Sequence, residues 1–348
     1  MRSFQRASTL DPVPAVVVQS LRRIDRAAGA ESRYIDRMPQ LLDALRAQAR
    51  IESITASSAI EGVLVDDARV PKLVSSAAGR ARNRSEAEFA GYSAALDYLN
   101  KGDPGEVNVG LILHLHRLLF SLTEGRDGGA FKSEDNLVVD HQPDGTSTVR
   151  FAPVSAQETP FYMEQLVVRS RDAIERGEHH PLIVTAAFAL DILCIHPFRD
   201  GNGRVARLAT TYLLQRAGYG VGRYVSLERF IYDTRDDYYA SLGASTAGWF
   251  DDAHHDVWPW TRYLLERLDD AYARLQERVA AGSSGATKQD RVRDHILLNA
   301  PGTFTIAEVR RAVPGVSDNT IRLVLTGLKR EGRIASDGTG RAATWRRT

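Results

Sequence analysis

The fourteen residues from Leu182 to Ile195 are almost wholly apolar, carry a single charge at Asp191, and run directly into His196-Pro197. A proline removes a backbone donor and disfavours helical geometry in the residue before it, so a helix over this stretch must end there. The stretch falls short of the ~18–20 residues that cross a bilayer, so it is expected to be a helix of a protein core, and no membrane span is expected in the chain. The N-terminus reads MRSFQRASTLDPVPAVVVQSLRR, with Asp11 and two prolines interrupting any apolar run. No secretory leader is expected and the location is read as cytoplasmic.

Beyond the proline lies the segment with the densest chemistry, His196-Pro-Phe-Arg-Asp-Gly-Asn-Gly-Arg-Val-Ala-Arg207. A Gly-Asn-Gly turn feeding a helix lets successive backbone N–H groups point into one concavity, where the helix dipole also favours negative charge. Gly201, Asn202 and Gly203 therefore predict a phosphate cradle. Arg204 and Arg207 lie one helical turn apart, on one face, and supply planar donors suited to phosphate oxygens. Asp200 precedes the turn, and one carboxylate completed by substrate phosphates is a common way to hold Mg²⁺. His196 has a side chain that can accept a proton from an attacking hydroxyl at neutral pH. Together these residues describe nucleotidyl or phosphoryl transfer, with Phe198 anchoring the loop on the core. A P-loop is absent, since no Gly-x4-Gly-Lys-(Ser/Thr) occurs.

The rest of the chain predicts a mainly α fold. Helical spacing runs from Val16 to about Val65, with only Gly29 counted as an interruption, and again over 85–99, 107–122, 158–176, 181–195, 205–216, 227–242 and 257–281. Between Glu124 and Pro160, Gly-Gly and Pro-Asp-Gly turns separate two β-prone runs, Leu137 to Val139 and Ser147 to Phe151, which predicts a hairpin between helices. The 348 residues, 43% of them hydrophobic, suffice for two or three folded units at ~150 residues each, which excludes a disordered chain. One cysteine, Cys194, excludes an intramolecular disulfide and a cysteine zinc cluster; in its apolar setting it reads as a small buried hydrophobe. The histidine pairs His114/His116, His179/His180 and His254/His255 read as surface or packing residues.

Basic residues comprise 40 Arg and 5 Lys, and the near-zero net charge conceals an asymmetry. Residues 288–348 hold 12 basic and 6 acidic side chains, whereas residues 1–287 hold 33 and 38. Residues 281–287, Ala-Gly-Ser-Ser-Gly-Ala-Thr, have linker composition and separate the two. The expected organisation is an N-terminal helical region over 1–105, a core over 106–280, the linker, and a basic unit over 288–348. That unit reads helix, helix, turn, helix and two-stranded ribbon, with Ser317 as a helix cap. The order resembles a winged helix-turn-helix, which would bring Ser317, Asn319, Thr320 and Arg322 near a DNA groove and Arg341, Arg346 and Arg347 near phosphates.

The 196–207 segment matches without a gap the signature of the Fic family, His-x-Phe-x-(Asp/Glu)-Gly-Asn-Gly-(Arg/Lys)-x-x-Arg. The resemblance covers roughly residues 40 to 270. It implies a Fic-type helical core with a hairpin flap that transfers AMP from ATP to a Ser, Thr or Tyr hydroxyl of a target protein, with pyrophosphate leaving. It implies His196 as general base, Asp200 as Mg²⁺ ligand, Asn202 as α-phosphate contact, Gly201, Gly203 and Arg204 as the anion nest, and Arg207 on the γ-phosphate. Upstream, Ser57-Ser-Ala-Ile-Glu61-Gly62 resembles the family's inhibitory motif, which implies a helix near 50–62 whose Glu61 pairs with Arg207. Independently, a Glu at a helix C-terminus opposes the dipole and calls for a cation. The flap implied by the resemblance corresponds to part of Ala130 to Val139, which would bind the target by main-chain pairing. Here Gly129-Ala-Phe-Lys132 replaces the family's Gly-x-(Tyr/Phe)-Arg and loses the planar fork. Lys132, Tyr238 and Tyr239 are candidate flap or nucleotide contacts. A homodimer, a DNA-binding regulator whose core senses nucleotide, and an enzyme that removes AMP with Glu61 orienting water are the alternatives carried forward.

Overall fold

A computed structural model of the chain describes residues 3, 12–75, 81–102, 104–125, 128–141, 147–250, 255–283, 288–338 and 343–347. Two helices occupy the first helical stretch, α1 (Ala15–Arg37) and α2 (Pro39–Ile60). Pro39, passed over by spacing alone, takes the first position of α2, where its missing N–H has no intrahelical partner to lose. Met38 between them leaves helical geometry at φ −140°. Then come α3 (Val70–Ser75), α4 (Arg84–Lys101) and α5 (Val109–Phe120). Asn83 and Asn108 cap the latter two through their side-chain oxygens.

The expected hairpin forms from β1 (Val138–His141) and β2 (Ser147–Phe151), antiparallel, with an irregularity between Val138 and Val139. It is followed by α6 (Thr159–Arg176), α7 (Pro181–Ile195) and α8 (Asn202–Arg216). The single helix expected over 227–242 is instead α9 (Leu227–Asp233) and α10 (Arg235–Thr246), parted at Thr234, whose φ of −121° and ψ of 35° leave the helical region. The long α11 (Trp258–Ser283) extends three residues into the expected linker. The rest of that linker, residues 284–287, lies outside the described residues.

Thirteen of the fifteen residues of α7 are buried, which makes it the central rod of the larger hydrophobic core. Its one charged residue, Asp191, accepts hydrogen bonds from Ser3 Oγ at 2.6 Å and Trp249 Nε1 at 2.7 Å. Burial lifts its pKa to about 6 against the opposing effect of these donors. Cys194 is fully buried and burial pushes its thiol pKa up, so it packs as a small hydrophobe.

Residues from 288 onward build a second core around Phe304, Val309, Ile321, Leu325 and Leu328. Its elements are α12 (Lys288–Asp294), a π turn (His295–Asn299), β3 (Thr303–Thr305), α13 (Ile306–Ala312), α14 (Asp318–Arg330), β4 (Ile334–Asp337) and β5 (Thr344–Arg347). The sheet is three-stranded, β3-β5-β4, where two strands were expected. β3 pairs with the second edge of β5, Phe304 opposite Trp345, a partnership 41 residues apart that no local pattern announces. Ser317 caps α14 by accepting the Thr320 N–H. Asn319, Arg322 and Arg346 are exposed, and Arg341 lies outside the described residues.

Candidate phosphate-transfer site

The site is a tight loop between two helices of the larger core. α7 ends at Ile195, and His196 takes a left-handed conformation, φ 50°, the only non-glycine residue to do so among those described. That geometry costs an L-residue roughly 1–2 kcal/mol, so surrounding contacts must hold it. Phe198 is fully buried and stacks on His116 of α5 with ring centroids 3.8 Å apart. His116 Nδ1 accepts the Gly129 N–H, which leaves its Nε2–H to donate to Asp200 O at 3.2 Å. This histidine, expected to be a packing or surface residue, thus clamps the loop from below.

Gly201 sits at φ 79°, and a Cβ there would meet the Leu119 and Phe120 side chains. Only glycine satisfies both constraints. α8 therefore starts at Asn202, three residues earlier than expected, and its first turn presents N–H groups without intrahelical partners. The Asn202 side chain turns inward. Its Oδ1 accepts the Phe198 N–H and its Nδ2 donates to Phe198 O, both at 2.8 Å, closing the loop on itself. The residue is 4% exposed and its carboxamide is hydrogen-bonded to the loop backbone.

Arg204 and Arg207 share a face but not a role. Arg204 is buried at 2% exposure and donates to Glu88 Oε2 of α4 at 2.7 Å. It braces α8 on α4. Glu88 also accepts from Arg84 at 2.6 Å, and Arg84 reaches Asp200 Oδ2 at 3.3 Å. Asp200 Oδ1 lies 3.6 Å from Arg204 and accepts the Gly201 N–H at 2.6 Å, so two guanidinium groups and two carboxylates form a closed ring. Removing one member of a buried pair strands the other, at a cost of about 3–5 kcal/mol. Glu88→Gln is expected to lower the urea midpoint of unfolding accordingly. An unchanged midpoint would show that Arg204 finds another partner.

Arg207 is 6% exposed and gripped by the end of α2. Its Nε donates to Ser57 Oγ at 2.9 Å, and its Nη2 to Ser57 O at 3.0 Å and to Glu61 Oε1 at 2.8 Å. Burial works against this charge, but the Glu61 carboxylate outweighs it and holds the guanidinium protonated. Glu61 is the C-cap of α2 and Gly62 follows at φ 74°. A Cβ on Gly203 would overlap Glu61 Oε1, so this carboxylate lies against the N-terminus of α8, where the dipole favours an anion. Arg207 Nη1 is buried and has no partner among the described residues, leaving one donor beside the cradle.

The hairpin arm contributes from the other side. The Lys132 N–H donates to Pro197 O, and Nζ donates to Asn136 Oδ1 at 2.9 Å and Ile195 O at 3.2 Å. Burial lowers its pKa to about 8, with Asp135 acting in the opposite sense. Lys132 is 6% exposed and braces the loop from beneath. Asn136 Nδ2 lies 3.0 Å from Phe198 O and 3.1 Å from His196 Nδ1. Burial and then the Lys132 charge push the His196 pKa down to about 4, so the imidazole is neutral at pH 7. Tyr238 is a core residue edge-on to Trp260 and Tyr263, whereas Tyr239 lies under the Arg150 guanidinium of β2 at 4.6 Å. Arg84, Glu88, His116 and Asn136 were not singled out as functional from sequence, and only an i,i+4 Arg-Glu pair on α4 hinted at the first two.

A helix N-terminus opened by glycines, a buried arginine beside it and a neutral imidazole lie together at the end of α7. Residues 106–214, from just before α5 nearly to the end of α8, match the Fic/DOC family model. Protein adenylyltransferase Fic from Nematostella vectensis is 27% identical over 191 residues, 53% of this chain and 39% of that protein. Protein adenylyltransferase fic-1 from Caenorhabditis elegans is 28% identical over 197 residues, 55% of this chain and 34% of that protein. The chain thus spans between a third and two-fifths of the length of these curated relatives. A Fic family protein from Desulfovibrio desulfuricans G20 shares the fold with a TM-score of 0.60 at 22% identity, covering 97% of both chains. A Fic domain containing signaling protein from Bacteroides thetaiotaomicron does so with a TM-score of 0.61 at 21% identity, covering 76% of this chain and 99% of that one. Among the described residues no helix is long and apolar enough to cross a membrane.

Proposed function

We propose that this protein is an adenylyltransferase restrained by its own helix α2, moving AMP from ATP to a Ser, Thr or Tyr hydroxyl of a target protein and releasing pyrophosphate. The observation that carries this reading is the position of Glu61, which lies on both Arg207 and the N-terminus of α8, the two features an incoming triphosphate needs. The activity named for the curated relatives supports the chemistry.

In the transfer, the target hydroxyl oxygen bonds to the α-phosphorus, the bond to the pyrophosphate oxygen breaks, and the hydroxyl proton passes to His196. Its neutral state at pH 7 suits a base. The N–H groups of the first turn of α8 would hold phosphate oxygens, and Arg207, once free of Glu61, the γ-phosphate. Among the described residues no group of three or more His, Cys, Asp or Glu side chains is arranged to hold a metal. A Mg²⁺ carried in with ATP fits the single, partly exposed Asp200 carboxylate beside the cradle, with phosphates completing its shell. Bound there, the ion would offset charge on the phosphates. Asn202, Lys132, His116 and Arg204 hold the loop in shape.

The target would lie along Ala130–Val139. β1 pairs only with β2 among the described residues, so its outer edge is available for an added strand. We assign residues 1–105 to the restraining region, 106–280 to the catalytic core and 288–348 to a winged helix-turn-helix. Exposed Asn319 and Arg322 on α14, and Arg346 on β5, support DNA contact by that last unit.

The test is transfer of label from ATP to protein in the presence of Mg²⁺. Label at the α position is expected to enter a protein band, whereas label at the γ position is expected to leave as pyrophosphate. Entry of the γ label in place of the α label would make the protein a kinase and overturn the reading. Release of AMP from a modified target, abolished by Glu61→Gly, would favour AMP removal instead.

A further inference from the structure

Two arginines come together, with no carboxylate in contact, where α11 of the larger core packs on α12 of the unit that follows it. Arg278, in the last two turns of α11, is 5% exposed. Its Nη1 donates to Tyr224 O at 3.3 Å, and its buried Nε has no partner among the described residues. Arg347 comes from β5, where successive side chains point to opposite faces. Arg346 is exposed, whereas Arg347 shares the face of Trp345, which packs on the smaller core. From that face Arg347 Nη1 donates to Leu297 O in the π turn at 3.0 Å. Among the described residues, main-chain carbonyls are thus the acceptors that hold both guanidinium groups.

The charges around this pair do not balance. Burial lowers the Arg278 pKa to about 10, with Glu52 opposing and Arg274 and Arg347 adding to the fall. Arg347 is lowered by burial first, with Glu52 again opposing and Arg274 and Arg229 adding. His295, in the π turn, is pushed down to about 4 by burial and then by Arg347 and Arg278, so it is neutral at pH 7. Arg274 is paired with Glu277 at 3.8 Å and Arg229 with Asp233 at 2.9 Å, which leaves Glu52 of α2 as the one carboxylate acting on both Arg278 and Arg347. Glu52 forms no ion pair with either, and its Oε1 accepts from Gln48 Nε2 at 2.8 Å. Buried charges in folded proteins are ordinarily paired, because an isolated one gives up its hydration for nothing.

We propose that Arg278 and Arg347 form a binding site for a phosphate dianion, free or as the end of a monoester, held between the core and the unit over 288–347. A tetrahedral anion presents oxygens to two planar forks arriving from different elements, whereas a carboxylate presents a single edge. The donors are Arg278 Nε and the guanidinium N–H groups not spent on Tyr224 and Leu297. The dianion offsets the repulsion between the two cations. Arg347 is partly exposed, so the site opens to solvent on its side. One arginine comes from each unit, so an occupied site joins them, and it shares no residue with the cradle at α8.

The test uses the full chain near neutral pH. Thermal unfolding is followed by circular dichroism in inorganic phosphate and in chloride at equal ionic strength, and phosphate binding is measured by calorimetric titration. In the wild type, phosphate is expected to bind and to raise the unfolding midpoint over chloride, since a ligand held by the folded state alone stabilises it. Arg347→Gln is expected to weaken phosphate binding by about tenfold or more, the worth of a hydrogen bond to a charged group. Arg278→Met is expected to abolish the phosphate-dependent rise. Arg347 lies at a partly exposed position, so its variant decides the point even if Arg278→Met does not fold. Glycerol phosphate titrated alongside separates the two sources: binding of either anion supports the proposal, and the tighter of the two identifies the source. A wild type with neither heat nor a phosphate-dependent rise would overturn the proposal. So would a phosphate effect of equal size in Arg347→Gln, which would assign it to the cradle at α8.

Discussion

Glu61→Gly is expected to raise the rate of label transfer from α-labelled ATP by ~10–100-fold over the wild type. Hydrogen bonds to charged groups contribute about 1.5–3 kcal/mol each, and that much bias between an occupied and a free guanidinium corresponds to such a factor. The expectation rests on Glu61 touching two things at once. Its Oε1 is 2.8 Å from Arg207 Nη2 and lies against Gly203 at the start of α8. Removing the carboxylate frees both without altering the loop that shapes the cradle. Ser57 keeps two hydrogen bonds to Arg207 in the variant, so the side chain stays in place and available. The measurement is labelled protein per unit time with wild type and variant side by side in Mg²⁺. Equal rates would show that the contact does not restrain transfer.

His196→Ala in the Glu61→Gly background is expected to reduce transfer by ~10²–10⁴-fold, the range supplied by a positioned general base. The alanine has to adopt φ near 50°, so circular dichroism should accompany the assay to show that the loop and its helices persist. The pH dependence separates the base from a merely structural histidine. With the ring pKa pushed down to about 4, the neutral form predominates well below the range of an ordinary histidine. Protonation removes the acceptor, so the rate should rise with pH through the region near 4 and be level above ~6. An acid limb centred near the ordinary histidine value would contradict the burial seen here. Label transfer by His196→Ala within tenfold of its parent would remove His196 from the chemistry.

The site was legible where it is contiguous. Residues 196–207 contain the imidazole, the carboxylate, the glycines, Arg204 and Arg207, and prolines at 181 and 197 fence α7 so that its limits could be read directly. That Glu61 needs a cation was legible from its place at a helix C-terminus, and that the cation is Arg207 came from the family resemblance. What escaped were partners that only the fold brings together. Asn136 and His196 are 60 residues apart, Glu88 and Arg204 are 116 apart, and no periodicity links them. The hydrogen bonds of Arg204 to Glu88 and of Asn202 to the Phe198 backbone likewise carry no signature in the sequence. In the fold, a smooth helical pattern hid the breaks at Met38 and Thr234. The three residues of β3 exist as a strand only because β5 returns beside them.

The ring of charges below the cradle is layered, and the layering has a consequence for how the protein answers to its medium. Arg204 and Glu88 are 2% and 3% exposed, whereas Arg84 is 58% and Asp200 38% exposed. Dissolved ions screen charges that face water and hardly touch those that do not. Rising ionic strength therefore loosens Arg84 from Asp200 and makes that carboxylate more available, while the buried pair that holds α8 on α4 stays closed. The rim of the site is tuned by the surrounding electrolyte, and its foundation is insulated from it.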